Sequence, residues 1–294
     1  MNIRAIAGWF GSNRNLAHTV GDALNGCSWV GIPFAGSMSE VPHIKARTIL
    51  VNDLHRHVIN LARIVASDTD RPALLRHLKR KAFHPDQLKI SQGVCRVIEA
   101  PEPPAPADAN LAEHYFVCCW IGRASKAGID DEFNGRPSIR WKVDGGDSVV
   151  RYWSALRSLA SWGKTLRRCS FETMDAFAFL ARCEDIKGHG IYCDPPFPGV
   201  GRRYKYNAGQ TAAAEREWHT RLRDALERFT LTRVVCRFYE HPLIRELYCL
   251  PSWEWNVFDG RKQSNEAAPE VLLTRGSLPP TAKDLCPLFG EEIL

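Results

Sequence analysis

The spacing of hydrophobic and polar positions changes period several times along this chain. Ser28-Trp29-Val30-Gly31-Ile32-Pro33-Phe34 is a short apolar run that predicts a buried strand, and it opens into the small-residue turn Ala35-Gly36-Ser37-Met38-Ser39-Glu40. Thr48-Ile49-Leu50-Val51-Asn52-Asp53 is a second such run, ending on an acid. From Leu54 to Ala66 the apolar positions Val58, Leu61, Ala62 and Val65 recur at helical spacing. Strand, small-residue turn, strand, acid and helix together predict a doubly wound α/β domain.

Residues 67–148 break that pattern. They open with a basic stretch and contain Ala100-Pro101-Glu102-Pro103-Pro104-Ala105-Pro106-Ala107, a stiff extended segment. Gly128 to Gly146 is rich in Gly, Asp and Arg, with Trp120 and Trp141 at its edges. We read 67–148 as a smaller inserted lobe, outside the sheet, and 1–66 with 149–294 as the α/β domain. Alternation then resumes. Val149 to Leu166 places Tyr152, Leu156 and Leu159 on one helical face, and Trp218, Leu222, Leu226 and Phe229 mark a long amphipathic helix. Gly190 to Cys193, Arg233 to Phe238 and Val271 to Leu273 are further strands, and no internal repeat is visible.

Composition narrows the class. With 45% hydrophobic and 24% charged residues, the 294-residue chain has the balance of a globular protein with one core and a subsidiary lobe. No apolar run approaches a membrane span, and Met1-Asn2-Ile3-Arg4 has no signal-peptide core, so a cytoplasmic protein without membrane contact is expected. The ten cysteines lack any Cys-x-x-Cys spacing, which disfavours zinc and a secreted disulfide framework. Reduced core thiols are expected, with Cys118, Cys119 and Cys193 inside apolar runs. The net charge of +6 is compatible with a phosphate backbone as partner. Among the basic clusters (76–81, Arg167-Arg168 and Arg202-Arg203-Tyr204-Lys205-Tyr206), the last is interleaved with tyrosines.

That cluster follows the most informative stretch of the chain, Gly190-Ile191-Tyr192-Cys193-Asp194-Pro195-Pro196-Phe197. It reads as a buried strand that stops at a carboxylate, where open α/β sheets bind ligands. Pro195 and Pro196 stiffen the loop and remove two N–H donors. A rigid pair of acceptors beside an exposed ring suits holding a flat heterocycle by its amino group. An ordinary strand-to-turn transition has the same four residues. Gly36, just after a strand, lets backbone approach a ligand, or simply makes a turn. Asp53 is either a ribose-hydroxyl acceptor or a helix amino-terminal acid, and Asp175 reads on its own as an N-cap. Trp9-Phe10-Gly11-Ser12-Asn13-Arg14 is either a ligand-facing loop or an aromatic anchor. The chain has no G-x-G-x-x-G, and Gly163-Lys164-Thr165 lacks the leading glycine of a phosphate loop. No histidine sits in a nucleophile elbow or an H-E-x-x-H helix; most are expected at the surface, with His55 and His57 on one helix and unable to face each other.

Taken together, these motifs resemble the Dam-type (alpha-group) adenine-N6 DNA methyltransferases, in order and over nearly the whole chain. The resemblance implies a Rossmann-like S-adenosylmethionine-dependent methyltransferase fold, a mixed and mostly parallel sheet with an inserted target-recognition lobe. It assigns Asp194, Pro195, Pro196 and Phe197 to the catalytic tetrapeptide. Phe34, Ala35 and Gly36 fall on the cofactor loop, Asp53 on the ribose-binding strand end, Asp175 on the acid that contacts adenine, and Trp9 on the amino-terminal loop. Glu270-Val271-Leu272-Leu273-Thr274 resembles a carboxy-terminal strand. Asn13, Arg14, Arg202, Arg203 and Lys205 are expected to face DNA, and Arg123, Lys126, Arg136 and Arg140 are candidates by charge and position. Two positions depart from the pattern: Phe197 stands where the family usually has tyrosine, and Asn13 where it usually has lysine. The implied activity is methyl transfer from S-adenosylmethionine to adenine N6 in duplex DNA, with base flipping, as in restriction–modification, and without a metal. A monomer is compatible with it, and the sequence leaves the oligomeric state open. Cytosine N4 or RNA as acceptor, and a silent nucleic-acid-binding homologue, are the alternatives.

Overall fold

The computed structural model describes residues 5–12, 15–122, 126–139, 147–260 and 268–276. Asn13, Arg14, Arg123, Arg140 and Trp141 lie outside them. The described elements run α1 (Ala17–Ala23), β1 (Trp29–Ile32), β2 (Thr48–Asn52), α2 (Arg56–Ala66), α3 (Arg71–Arg80), α4 (Pro85–Val97), α5 (Ala109–Ile121), α6 (Ser148–Leu166), β3 (Cys169–Glu172), α7 (Ala176–Arg182), β4 (His189–Cys193), α8 (Ala212–Glu227), β5 (Arg233–Tyr239), α9 (Pro242–Leu247), β6 (Glu254–Phe258) and β7 (Glu270–Arg275).

One sheet carries all seven strands in the order β3-β2-β1-β4-β5-β7-β6. The first five are mutually parallel, and β7 runs antiparallel to both β5 and β6. The strand order reverses between β1 and β4, so a crevice opens there at the carboxyl ends of the strands. The central strands are apolar on both faces because both faces are covered. In β4, Tyr192 packs with α2, α5 and α6, while Ile191 and Cys193 pack with α7, α8 and α9. The same alternation turns Val235 one way and Val234, Cys236 and Phe238 the other in β5.

The segment 67–148 adds helices and, among its described residues, no strand of the sheet. Its α3 and α5 pack on α2 and α6, and α4 packs on α5. Leu74, Leu88, Tyr115, Phe116 and Trp120 thereby share one continuous core with Val30, Ile32 and Val51 of the sheet. Helix α5 is buried on nearly every side, as its almost uniformly apolar sequence requires. Short polar side chains start several helices: Asp108 accepts from Leu111 N at 2.9 Å, and Asp147 and Thr211 cap α6 and α8. No helix of the described residues is long and apolar enough to cross a membrane. Their cysteines are all free thiols, Cys119 and Cys193 buried, Cys118 half-buried and Cys249 exposed.

The histidines correct the sequence reading. Only His18, His77 and His84 are exposed, while His55, His57, His114 and His219 are buried. His55 stands one residue before α2 as its cap, with Nδ1 accepting from Val58 N, so it is not bound by helical geometry. Its ring therefore comes within 6.0 Å of the His57 ring, and both rings pack on Tyr115.

Candidate active site

Four consecutive strands deliver their carboxyl-terminal loops to one cavity of about 410 Å³ at the reversal of strand order. The loop after β1 contributes Pro33 to Ser37 and Glu40, the loop after β2 contributes Asp53 to His55, the loop after β3 contributes Met174 to Ala176, and β4 ends in Asp194 and Pro196. Trp9, Gly11 and Ser12 close one side, Gly128 and Tyr204 to Asn207 another, and Trp218 of α8 a third. The volume falls in the range that holds a small organic ligand.

Gly36 is where backbone must approach closely. Its φ is +46°, and a Cβ there would meet Trp9 Nε1 at 2.9 Å. Gly128 receives the other side of the same indole, where a Cβ would lie 2.6 Å from Cζ2. Trp9 is therefore wedged between two glycines, and a T-shaped contact with His55 at 5.2 Å fixes it further.

Asp53 takes up the helix-start role, one of the two that the sequence left open. Its Oδ2 accepts from Gly36 N at 2.8 Å and Oδ1 from His55 N at 2.9 Å, so it ties the β1 loop to the start of α2 while lining the cavity. Burial raises its pKa, and the two backbone donors oppose that rise. Asp175 is the N-cap of α7, accepting from Phe177 N and Ala178 N through Oδ1 alone, and it is exposed at the cavity wall. Phe34 and Phe177 pack on Trp218 at 6.0 and 5.4 Å, which builds an aromatic wall beside Asp175.

Asp194 is held from behind by a buried charge chain. The parallel register Cys193↔Cys236 sets Asp194 beside Arg237, whose Nη1 lies 3.2 Å from Asp194 Oδ2. Arg237 also donates to Glu270 at 2.7 Å and to the carbonyl of Gly11 at 3.0 Å. In the antiparallel β5–β7 pair, Arg237↔Leu272 and Tyr239↔Glu270 put the two charges on one face. Burial raises Asp194 to a pKa of about 6; Arg237, and a hydrogen bond from Tyr192, keep it from rising further. Glu40 is only 3% exposed and pushed up to about 8 by burial, with Asp194 adding to the rise. Below Trp9, His55 Nε2 and Glu132 Oε1 are 2.6 Å apart, and Glu132 Oε2 accepts from Gly128 N. Burial opposes a charge on His55, but the Glu132 carboxylate outweighs it and raises the pKa.

Of the residues read from sequence, Trp9, Phe34, Ala35, Gly36, Asp53, Asp175, Asp194, Pro196 and Lys205 line this one cavity. Pro195 is buried behind it. Phe197 corrects the expectation of an exposed ring: it is 9% exposed and faces Tyr239 at 4.9 Å and Phe238 at 5.8 Å, with the Arg237 guanidinium over it. The aromatic wall of the second core claims it. Arg202 pairs with Glu215, and Arg203 stacks on Phe10 at 4.8 Å and is exposed. Lys126 pairs with Asp131 at 3.1 Å, and Arg136 is exposed, both away from the cavity lining. Sequence reasoning missed Arg237, Glu270 and Glu40. An arginine inside the apolar run Val234 to Phe238, and an acid opening another, were the available signals for the first two. Glu40, inside a small-residue turn, carried none.

No known protein family matches this chain, and no curated protein is significantly similar to it in sequence.

Proposed function

We propose that this chain transfers a methyl group from S-adenosylmethionine to the exocyclic N6 of adenine in duplex DNA. The observation that carries the reading is the convergence of Phe34 to Gly36, Asp53, Asp175 and Asp194 from four successive strand ends on one cavity. Each belongs to a different motif of the resemblance, and nothing in their sequence separation requires them to meet. The mostly parallel sheet is compatible with the Rossmann-like fold that the resemblance implies.

The residues present fit such a ligand. Gly36 lets the backbone of the β1 loop come up against Trp9, which lines the same cavity, and Phe34 with Trp218 offers apolar faces to a purine. Asp175 supplies an exposed carboxylate beside that wall, and Asp53 an acid at the strand end. When bound, S-adenosylmethionine supplies an electrophilic methyl group on a sulfonium. Asp194, ionised above a pKa of about 6, accepts an N–H of the target amine and orients its lone pair. It also offsets the positive charge that develops on nitrogen. Arg237 holds Asp194 in place without covering the cavity. With Phe197 buried, Tyr206 is the ring available for stacking on an extruded base, since it is 38% exposed and lines the cavity. Arg203 and Lys205 stand next to it for the phosphate backbone.

Asp194→Asn tests the assignment. Methyl transfer is expected to fall by roughly 10²–10³-fold while affinity for S-adenosylmethionine stays within about threefold, because the change removes charge only from the acceptor side. Undiminished turnover would refute it.

A further inference from the structure

Glu40 is the acid at this cavity that the reading above leaves unused. It lines the cavity in the loop after β1, is 3% exposed, and its Oε1 has no hydrogen-bond partner among the described residues. The serine hydroxyls of the same loop and cavity are engaged with one another: Ser12 lies 2.7 Å from Ser37 and 2.9 Å from Ser39. Among the described residues, the charged and titratable groups that act on Glu40 are Asp194 at the end of β4, Arg237 on β5 and Cys169 on β3. Arg237 is committed to Glu270 and Asp194. Arg168 is committed to the carbonyls of Val41, Ile44 and Ala46 in the turn that follows. A buried carboxyl that lines a ligand cavity, with an unpartnered oxygen and no cation of its own among the described residues, can take up positive charge.

We propose that Glu40 is the counter-charge for the cationic sulfur of the methyl donor, gained when the donor binds and released once the sulfur becomes neutral. The proton that Glu40 gives up on binding passes to solvent. The sulfur, rather than the ligand's amino group, is assigned because Glu40 and Asp194 line the same cavity and the charge of Asp194 reaches Glu40, and methyl transfer requires the sulfur to face the amine held there. Burial keeps Glu40 protonated up to about pH 8 in the free protein, so a proton is available for release at pH 7. Glu40 thereby favours the charged donor over the neutral thioether product. This inference rests on the methyltransferase reading of the same cavity.

Titration calorimetry on the full chain tests it, with S-adenosylmethionine and S-adenosylhomocysteine at pH 7 in buffers of different ionisation enthalpy. The expected result is release of about one proton with the sulfonium ligand and almost none with the thioether. Affinity for the former should rise by up to about tenfold per pH unit between pH 6 and 7.5, while that for the latter stays flat. In Glu40→Gln the proton release disappears and the preference for the sulfonium ligand falls by at least about tenfold. Equal proton release with both ligands, or equal losses in the variant, would move Glu40 to the amino end of the ligand and overturn the proposal. The wild-type proton count decides the matter even if the variant fails to fold. If the wild-type chain binds neither ligand, the methyltransferase reading itself falls, and this inference with it.

Discussion

Arg237→Met removes the cation that holds the floor of the cavity together. The guanidinium side chain is 4% exposed and sits between Glu270 at 2.7 Å, the Gly11 carbonyl at 3.0 Å and Asp194 at 3.2 Å. Methionine fills a similar volume, so packing changes little, but two buried carboxylates lose their shared partner. Breaking a buried ion pair from one side costs about 3–5 kcal/mol, because the remaining charge is stranded. The pH dependence identifies the cause. Asp194 already has a folded pKa raised from 3.8 to about 6 by burial, so its contribution to stability is present below its unfolded value and lost as pH rises through 6. Without Arg237 that pKa climbs further, and the loss grows toward alkaline pH. Urea unfolding at pH 5 and pH 8 is expected to show a deficit of about 3–5 kcal/mol at pH 8 that shrinks at pH 5, where protonation relieves Asp194. In the same variant, the acidic limb of any transferase pH profile should move to higher pH. A deficit under about 1 kcal/mol at pH 8, or one that is larger at pH 5, would refute the charge-chain argument.

Two further outcomes follow from buried groups elsewhere. His219 is fully buried with neither ring nitrogen bonded among the described residues, and burial lowers its pKa to about 4; His57 behaves alike. Stability carried by such groups is lost as pH falls from 6.5 toward 4, by up to roughly 3 kcal/mol each, so His219→Phe should flatten the fall in urea midpoint between pH 7 and 4.5; an unchanged slope would contradict this. Gly36→Ala places a methyl in a left-handed backbone against Trp9, and it should cost about 1–2 kcal/mol of stability and at least about tenfold in S-adenosylmethionine affinity. Tryptophan fluorescence and calorimetry on the variant check both, and wild-type affinity would argue that Trp9 does not wall the ligand.

The parts of this protein that are buried on two sides were legible, and the parts that depend on a neighbour were not. β1, β2 and β4 announce themselves because both faces are covered, so their apolar runs are unbroken and end sharply at Pro33, Asp53 and Asp194. β3 and β6 lie at the two edges of the sheet with half-exposed side chains, and Cys169–Glu172 and Glu254–Phe258 carry no such run. Asp194 and Gly36 are legible from local chemistry, Asp175 and Trp9 only through the motif resemblance, and Glu40 not at all. The tie from Asp53 to Gly36 was not legible, because it joins residues 17 apart in sequence through the β1–β2 pairing. Arg237 and Glu270 acquire meaning only from strand register, which sequence alone does not supply. Phe197 was misplaced for the same reason: a ring after two prolines looks free until the partners on β5 are known.

The central claim is a reaction, and one measurement addresses it directly. The purified chain would be incubated with methyl-labelled S-adenosylmethionine and mixed-sequence duplex DNA, and the digested nucleosides read by mass spectrometry. Label on N6-methyladenine is expected with the wild-type chain and is expected to be lost in Asp194→Asn. Label on cytosine N4 or on RNA would contradict the assigned target, and no labelled nucleoside of any kind would contradict the reaction itself.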